Sequence, residues 1–248
     1  MIKDKLRNGD FVMGTWCEIP SPNVINVIAK AGLDFVIIDM EHGAMDYKVA
    51  QEMVMAAEAD GCEGIIRVPQ NDESSILRAL DVGASGVIVP HVESREDVKK
   101  IVEYSKFFPV GKRGFNPYIR AGNYNSGNKD LFRMQNEKTL IAIIVEGRDG
   151  LKNFDEILSE EELDVVYIGT YDLSVALEVP GDVKNPKVLE VLEELVSKTR
   201  KKGKVAGCMI HDLKDLDEFK RMGIQFVLYK TDTAIIYDTF HEMQKELK

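Results

Sequence analysis

The chain has 248 residues and a formal net charge of −10, a length typical of one large α/β domain and a charge that argues against a nucleic-acid or anionic-membrane partner. Its longest apolar run, residues 140–145, is too short to span a bilayer, and the charged N-terminus lacks the apolar segment of a secretion signal. The three cysteines form no CxxC pair, which favours a reducing compartment and predicts a cytoplasmic protein.

Eight short apolar segments rich in β-forming residues recur along the chain. They are residues 11–17, 34–40, 63–69, 86–91, 140–146, 164–169, 205–210 and 225–230. Most are continuous apolar runs rather than strict alternations, which is typical of parallel strands buried on both faces.

Helical patterns separate these predicted strands. They cover residues 22–31, 46–60, 73–82, 94–106, 150–160, 186–202, 212–222 and 232–247. The first has clear end signals, with Ser21 as N-cap, Pro22 at the first helical position and Gly32 just past the end. The alternation predicts one (β/α)₈ TIM barrel over residues 1–248. A doubly wound open sheet is the alternative, but the sequence lacks the glycine-rich loop that usually follows its first strand.

Two segments stand out from this alternation. Residues 107–139 form a long polar stretch, which we interpret as an insertion after the fourth strand that acts as a lid or an oligomer contact. The last predicted helix, residues 232–247, carries Ile236, Phe240, Met243 and Leu247 on one apolar face.

Carboxylates stand at the ends of two neighbouring predicted strands. Glu146 ends the fifth strand, and Asp172 follows the sixth. Neighbouring strands lie about 4.8 Å apart, so the two side chains can converge on one cation. Two carboxylates suit Mg²⁺ or Mn²⁺, and the sequence does not exclude Co²⁺ or Zn²⁺. The alternative is a salt bridge from each carboxylate to a nearby Arg or Lys.

Other polar or aromatic side chains are expected near the same strand ends. His42 follows the second strand, as a general base or as a rim histidine. Arg67 ends the third strand and either stabilises a carboxylate or enolate, or pairs with a neighbouring acid. Trp16 is either a pocket wall or a core residue. Asp81 ends a helix, where its charge opposes the helix dipole and indicates a specific partner.

Further residues support rival or weaker interpretations. Lys230 ends the eighth strand, so it is either a Schiff-base lysine or a rim lysine paired with an acid. His91 follows the fourth strand and is a weaker candidate for the site. We interpret His211 and His241 as surface residues.

Seven segments in order along the chain resemble the HpcH/HpaI aldolase family, the metal-dependent pyruvate aldolases. They are GTW at 14–16, FVIIDMEH at 35–42, IIRVP at 65–69, ALDVGASGVIVPHV at 79–92, GKRGF at 111–115, VEGRDGLKN at 145–153 and IGTYDLS at 168–174. Because the spacing is shared as well as the residues, the resemblance extends over nearly the whole chain.

The resemblance implies a set of site roles. Glu146 and Asp172 would bind the divalent metal, and Arg67 would stabilise the oxygen of an enolate. His42 paired with Asp81 would be the acid–base dyad.

The resemblance also implies substrate contacts and an assembly. Backbone N–H groups around Tyr171 and Asp172 would bind the carboxylate of a 2-oxo acid such as pyruvate, and Arg120 would reach the rim of the site. Trp16 would line the pocket. The substrates would be a 2-oxo acid and an aldehyde, which the enzyme joins into, or releases from, a 4-hydroxy-2-oxo acid. For the assembly, the resemblance implies a hexamer built from dimers that exchange their last helices.

Two positions depart from the family pattern. Thr170 replaces the proline of the usual GPxDLS motif, and Ile144 stands where well-known members have a glutamine. Alternation places Ile144 on the same inward face as Glu146, so one polar contact near the substrate is absent. Alternative functions are therefore an oxaloacetate decarboxylase, a citrate-synthase-like condensing enzyme, a Schiff-base aldolase using Lys230, and a non-catalytic ligand-binding barrel.

Overall fold

A computed structural model describes residues 1–125, 127–128 and 130–247. Within that part of the chain, parallel strands β1 to β8 close into a barrel in sequence order, with β8 paired to β1. The strands are Val12–Cys17, Phe35–Asp39, Glu63–Arg67, Gly86–Val89, Leu140–Val145, Val165–Ile168, Val205–Ile210 and Phe226–Thr231. The prediction of a single TIM barrel is confirmed, and the open-sheet alternative is wrong.

Helices surround the barrel. Labelled α1 to α12 in chain order, they are Ile2–Arg7, Pro22–Lys30, Tyr47–Glu58, Glu73–Asp81, Arg95–Ser105, Leu131–Lys138, Arg148–Lys152, Phe154–Ile157, Thr170–Ala176, Pro186–Lys201, Leu216–Met222 and Asp232–Glu246. In the described part of the chain, none is both long and apolar enough to cross a bilayer.

Sequence patterns located the longer helices and missed three short ones. The Ser21 hydroxyl accepts the N–H of Val24, as an N-cap should. The helix predicted over 150–160 is instead the pair α7 and α8, and the one predicted over 212–222 opens with a 3₁₀ turn. Helices α1, α6 and α9 were not predicted, because segments of six to eight residues carry little periodicity.

Apolar side chains fill two layers. One layer lies between the strands and the helices, and the other fills the barrel itself. In the interior, the rings of Phe35 and Phe226 stack with centroids 4.3 Å apart. A Cβ at Gly14 of β1 would stand 2.6 Å from the Phe35 ring and from the Phe35 carbonyl oxygen. Glycine is required there, because any side chain would push β1 away from β2.

The polar stretch 107–139 connects α5 to the start of β5. It contains α6, and the Phe107 and Phe132 rings stack within it at 4.8 Å; residues 126 and 129 lie outside the described part. Since α5 has already returned the chain to the amino-terminal ends of the strands, the stretch lies at that end of the barrel. The expected lid over its own site is therefore wrong, and the oligomer contact stays a prediction.

A buried ion pair joins the carboxyl ends of β2 and β3. Asp39 is fully buried, and both of its carboxylate oxygens accept hydrogen bonds from the Arg67 guanidinium. Asp39 Oδ1 also accepts the backbone N–H groups of Glu41 and His42, at 3.0 and 3.1 Å. Arg67 in turn contacts the Glu41 carboxylate at 3.1 Å. This pair therefore fixes the loop that carries Glu41 and His42.

Two buried lysines share an acceptor at the opposite end. The Lys106 side chain is fully buried, and its Nζ donates to the carbonyl oxygens of Asn136 and Thr139. Lys3 donates to the same Thr139 oxygen and to Asp164 Oδ2, at 3.0 and 2.7 Å. Burial, with a smaller contribution from the charge of Lys3, lowers the pKa of Lys106 to about 8.

We expect Lys106 to make the folded state more stable as the pH rises above 8. In the folded protein its amine loses the proton near pH 8, whereas in the unfolded chain it keeps the proton up to its ordinary value of 10.5. The unfolded state binds more protons in this window, so the free energy of unfolding rises with pH, by up to about 3 kcal/mol. Urea denaturation of the wild type and of Lys106→Met across this range measures the effect. Parallel stability profiles for the two proteins would contradict it.

We expect Asp39→Ala to destabilise the fold by about 3–5 kcal/mol, because it leaves the guanidinium of Arg67 without its buried partner. The matched control is Asp60→Ala, which removes an ion pair with Lys30 on the surface. Chemical denaturation should show a large loss for Asp39→Ala and little change for Asp60→Ala. Similar losses in the two variants would mean that the buried pair is not a major stabilising contact.

Candidate active site

A cavity of about 260 Å³ opens at the carboxyl ends of the strands. It is the place where a barrel of this type carries its chemistry. The residues that line it are Trp16, Glu18, His42, Arg67, Ile144, Glu146, Tyr167, Gly169, Thr170, Tyr171, Asp172, Met209 and Thr231. Six residues expected at the site from the sequence are therefore brought together: Trp16, His42, Arg67, Glu146, Tyr171 and Asp172.

Two carboxylates meet on one side of this cavity. Glu146 directly follows β5, and Asp172 lies in the first turn of α9, just after β6. Burial raises the pKa of the Glu146 carboxyl, and the charges of Asp172 and Glu41 raise it further against the opposing effect of His91. Gly169 permits this approach, since a Cβ there would lie 3.3 Å from Glu146 Oε2. A cation between the carboxylates would remove their repulsion.

The donor set at this point consists of two carboxylates. Among the described residues, no group of three or more His, Cys, Asp or Glu side chains is arranged to bind a metal ion. Glu146 and Asp172 alone suit a hard divalent cation that takes its other ligands from water and substrate. The predicted pair of metal ligands therefore fits such an ion and leaves open positions for a substrate.

Arg67 also lines the cavity. Its guanidinium lies 4.5 Å from the centroid of the Trp16 ring. The Trp16 indole N–H donates to the Tyr167 hydroxyl at 3.4 Å. Burial alone would lower the pKa of Arg67, but the carboxylates of Asp39 and Glu41 raise it. The site therefore contains a permanently charged guanidinium in fixed orientation, suited to an anionic oxygen of a substrate.

His91 connects the two sides of the site. Its Nε2 lies 2.9 Å from Glu41 Oε1, and its Nδ1 lies 2.9 Å from Glu146 Oε1. Its backbone N–H also donates to Glu146 Oε1, at 3.1 Å, and its φ of +54° is uncommon for a residue with a side chain. His91 was only a weaker candidate in the sequence analysis, and its position directly after β4 was the signal that could have identified it.

His211 is one of the residues that the sequence interpretation misplaced. It follows β7 and is partly buried, with its ring edge-on to Tyr171 at a centroid distance of 5.2 Å. Burial lowers its pKa, and the charges of Lys230 and Lys184 act in the same direction. The interpretation of His211 as a surface residue is therefore wrong, and its strand-end position could have indicated this. His241 is exposed on α12, as expected.

His42 and Asp81 do not form a dyad within one chain. His42 borders the cavity, whereas Asp81 ends α4 and accepts a hydrogen bond from Arg113 at 2.9 Å. The physical reason is the direction of α4, which runs from the carboxyl end of β3 back toward the amino-terminal end of β4. Asp81 therefore lies at the far end of the barrel from His42.

Arg120 also lies away from the cavity. It belongs to a 3₁₀ turn in the 107–139 stretch, pairs with Glu58 and packs against Gly83. Glu58 ends α3 and Gly83 precedes β4, so both belong to the amino-terminal end of the barrel. The expectation that Arg120 reaches the rim of its own site is wrong.

Lys230 has the surroundings of a rim lysine rather than a nucleophile. Its Nζ lies 2.6 Å from Asp238 Oδ2 of α12, and this contact raises the pKa of Lys230. A Schiff-base lysine needs an unprotonated amine beside the substrate. The ion-pair interpretation of Lys230 is thus the one that the structure favours.

Both departures from the family pattern border the cavity. Ile144 is buried in the barrel interior on the same face as Glu146, as alternation predicted. Thr170 is the first residue of α9, and the N–H groups of this first turn have no acceptor within the helix. The site therefore keeps its charged groups and its free N–H groups, and it has an apolar surface where Ile144 stands.

Comparison with known proteins agrees with this geometry. The model of the "HpcH/HpaI aldolase/citrate lyase" family matches residues 12–238. A "Hydroxypyruvate/pyruvate aldolase" of Pseudomonas aeruginosa is 30% identical over 99% of this chain and 92% of that protein. A crystal structure of an HpcH/HpaI aldolase from Desulfitobacterium hafniense DCB-2 is 29% identical, with a TM-score of 0.95 over 100% of this chain and 96% of the other. The crystal structure of "Citrate Synthase SbnG" is 32% identical, with a TM-score of 0.90 over 99% and 96% of the two chains. The resemblance deduced from the motifs is thereby confirmed, and the chain belongs to the HpcH/HpaI aldolase/citrate lyase family.

Proposed function

We propose that the protein is a divalent-metal-dependent carbon–carbon lyase that cleaves or forms 4-hydroxy-2-oxo acids. The observation that carries the proposal is the convergence of Arg67, Glu146 and Asp172 on one cavity, which His42 borders. Relatives named hydroxypyruvate/pyruvate aldolase and 5-keto-4-deoxy-D-glucarate aldolase support the reaction class. The substrates are then a small 2-oxo acid, such as pyruvate, and an aldehyde.

Glu146 and Asp172 would bind the metal, with Mg²⁺ or Mn²⁺ preferred to Co²⁺ or Zn²⁺ for an all-oxygen site. When bound, the ion supplies Lewis-acid polarisation of the 2-oxo acid. Arg67 places a fixed positive charge where the enolate oxygen develops. The N–H groups of Tyr171 and Asp172 in the first turn of α9 bind the substrate carboxylate. Trp16 closes the pocket wall beside Arg67.

His42 is the residue that we assign to proton transfer. It borders the cavity, and its backbone N–H is anchored by Asp39, so its ring is presented from a fixed loop. In the cleavage direction an imidazole can take the proton of the C4 hydroxyl group, directly or through a water molecule, and deliver it to the enolate carbon once the carbon–carbon bond has broken. In the condensation direction it removes a proton from the methyl group of the 2-oxo acid and delivers it to the aldehyde oxygen. Asp81 of the same chain does not assist it, since Asp81 is paired with Arg113.

We expect the protein to exchange the methyl protons of pyruvate with D₂O in a metal-dependent manner, as measured by NMR. Exchange should require added Mg²⁺ or Mn²⁺ and should be lost with EDTA and in Glu146→Gln, because Glu146 would be one of the two carboxylates that hold the ion. Arg67→Met should slow exchange by about 100- to 1,000-fold, the usual effect of losing one oxyanion-stabilising group. The matched control is Glu178→Gln, an exposed carboxylate that contacts Arg148 outside the cavity, and it should leave the rate unchanged.

The same measurement tests the lysine mechanism. Lys230→Met should retain exchange, and borohydride should not trap pyruvate on the protein. Exchange that survives EDTA and disappears in Lys230→Met would contradict the proposal of a metal-dependent reaction. Binding of pyruvate without exchange under any condition would instead support the non-catalytic barrel.

A condensing or decarboxylating reaction of oxaloacetate is the second candidate function. Two observations favour it: Ile144 makes one wall of the site apolar, and the solved structure of Citrate Synthase SbnG has nearly the same fold at 32% identity. The chemistry would use the same carboxylates and the same arginine. The products separate the candidates, since an aldolase yields a 4-hydroxy-2-oxo acid, a condensing enzyme yields a citrate-like acid, and a decarboxylase releases carbon dioxide.

We also propose that the protein is a homo-oligomer, a hexamer built as a trimer of dimers that exchange α12. Ile236, Phe240 and Met243 of α12 are exposed, as is Leu247 directly after the helix, and together they form an apolar row that a second subunit would cover. In such an assembly, Asp81 and Arg120 can act only in the site of a neighbouring subunit, because they lie at the far end of their own barrel.

We expect Phe240→Asp to shift the sedimentation coefficient toward smaller species, because it puts a charge into the covered face. His241→Asp adds the same charge at an exposed position of α12 that lies off the apolar row, and it is the matched control. Identical sedimentation of both variants and the wild type would count against the exchange of α12.

The three cysteines support a reducing compartment. Cys17, Cys62 and Cys208 are all buried free thiols, and burial raises the pKa of each. Buried, protonated thiols are unreactive. We therefore propose that the protein functions in the cytoplasm.

A further inference from the structure

A second cavity lies at the amino-terminal end of the barrel, opposite to the candidate active site. Its volume is about 480 Å³, against about 260 Å³ for the first cavity. Lys3 and Arg7 of α1 form one side, and the residues that precede β6, β7 and β8 form the other. None of the residues that line this cavity takes part in the proposed reaction, and this end of such barrels usually serves stability. We call it the amino-end cavity.

Basic side chains predominate in the amino-end cavity. Its basic residues are Lys3, Arg7, Arg200 and Lys204, and its acidic residues are Glu161 and Asp164. Lys3 is neutralised by Asp164, at 2.7 Å. In the described part of the chain, the other three basic side chains have no carboxylate within salt-bridge distance. Such a group is unexpected in a protein with a net charge of −10.

Lys204 shows most directly that a negative partner would be favourable. It is partly buried, and its Nζ donates to the backbone carbonyl of Glu161 at 2.7 Å. Burial lowers the pKa of Lys204, and the surrounding acids only partly oppose this effect. The folded protein therefore bears a desolvation cost for this amine that an anion in the cavity would offset.

Arg200 lines the amino-end cavity together with Lys204, and the absence of a side chain at Gly223 leaves space for it. It lies in the last turn of α10, and its guanidinium covers the turn at Gly223, where a Cβ would come within 2.4 Å of Nη1. Gly223 has a φ of +98°, so a residue with a side chain would be strained there in any case. The turn before β8 thus leaves room for a guanidinium at the edge of the cavity.

We propose that the amino-end cavity binds a small multivalent oxyanion, held by Arg7, Arg200 and Lys204. Guanidinium and ammonium groups bind phosphate and carboxylate oxygens through charge-assisted hydrogen bonds. The volume is within the range of small-molecule sites. A phosphorylated metabolite and a polycarboxylic acid share this chemistry. Either would connect α1 to the strand starts and stabilise the folded barrel.

Thermal unfolding of the full-length, metal-free protein tests this proposal. Sodium pyrophosphate and sodium citrate are titrated separately, in EDTA and at constant ionic strength, and Kd is confirmed by calorimetry. The expected result is a saturable rise in Tm with at least one of the anions. A response to pyrophosphate alone indicates a phosphate ligand, and a response to citrate alone indicates a polycarboxylate.

Variants locate the binding. The double variant Arg200→Gln/Lys204→Gln should raise Kd by at least about tenfold, because two charged hydrogen-bond donors are lost. Lys201→Gln/Lys202→Gln removes the same charge from adjacent exposed residues outside the cavity and should keep the wild-type Kd. Arg67→Met should also keep it, since Arg67 lines the other cavity. Arg7→Gln provides an independent variant should the double variant fail to fold.

Two results would overturn the proposal. One is a Tm that rises without saturation and equally in all variants, which would reflect ionic screening alone. The other is binding that is lost in Arg67→Met and kept in Arg200→Gln/Lys204→Gln, which would place the anion in the candidate active site. Neither readout depends on pyruvate exchange, so failure of this proposal and failure of the proposed reaction are distinguishable.

Discussion

Closure of the parallel barrel is the constraint on which the rest of this protein depends. Because every strand runs in the same direction and β8 pairs with β1, all eight carboxyl ends meet at one rim. Trp16 and Thr231, 215 positions apart in sequence, are register partners there. A cavity at that rim receives one or two side chains from many strands. Local sequence then decides only which chemistry each strand contributes.

Several charged side chains lie close together at the carboxyl-end rim of the barrel, and most of them form ion pairs or hydrogen bonds with one another. Arg67 is fixed by Asp39 and contacts Glu41, and Glu41 contacts His91, which also contacts Glu146. Such a chain is costly to bury, since each ion loses water. It orients the guanidinium and the carboxylate with respect to each other before a substrate arrives. The remaining carboxylate repulsion between Glu146 and Asp172 is what a divalent cation would relieve.

The two ends of the barrel carry cavities lined by side chains of different charge. At the carboxyl end, acidic groups converge and favour a cation. At the amino end, Lys3 and Lys106 are buried against Thr139, and Arg7, Arg200 and Lys204 surround a cavity that favours an anion. Burial of Lys106 costs stability at neutral pH, because its charged form is desolvated. The net charge of −10 therefore does not predict which ions this protein binds, because acidic and basic side chains are separated along the barrel axis. That separation determines what each end can bind.

The sequence by itself determined the barrel and much of the site. Continuous apolar runs followed by a polar residue located the strand ends, and this local signal was enough for Arg67, Glu146 and Asp172. Alternation along β5 likewise put Ile144 beside Glu146. The tertiary structure determined which residues distant in sequence lie next to each other, and local sequence patterns do not contain this information. Asp81 and Arg120 lie at the far end of the barrel because the helices return the chain there, and the identity of a residue carries no information about that direction. The double contact of His91 and the anion-favouring cavity arise from residues distant in sequence, which only the packing of strands and helices brings together.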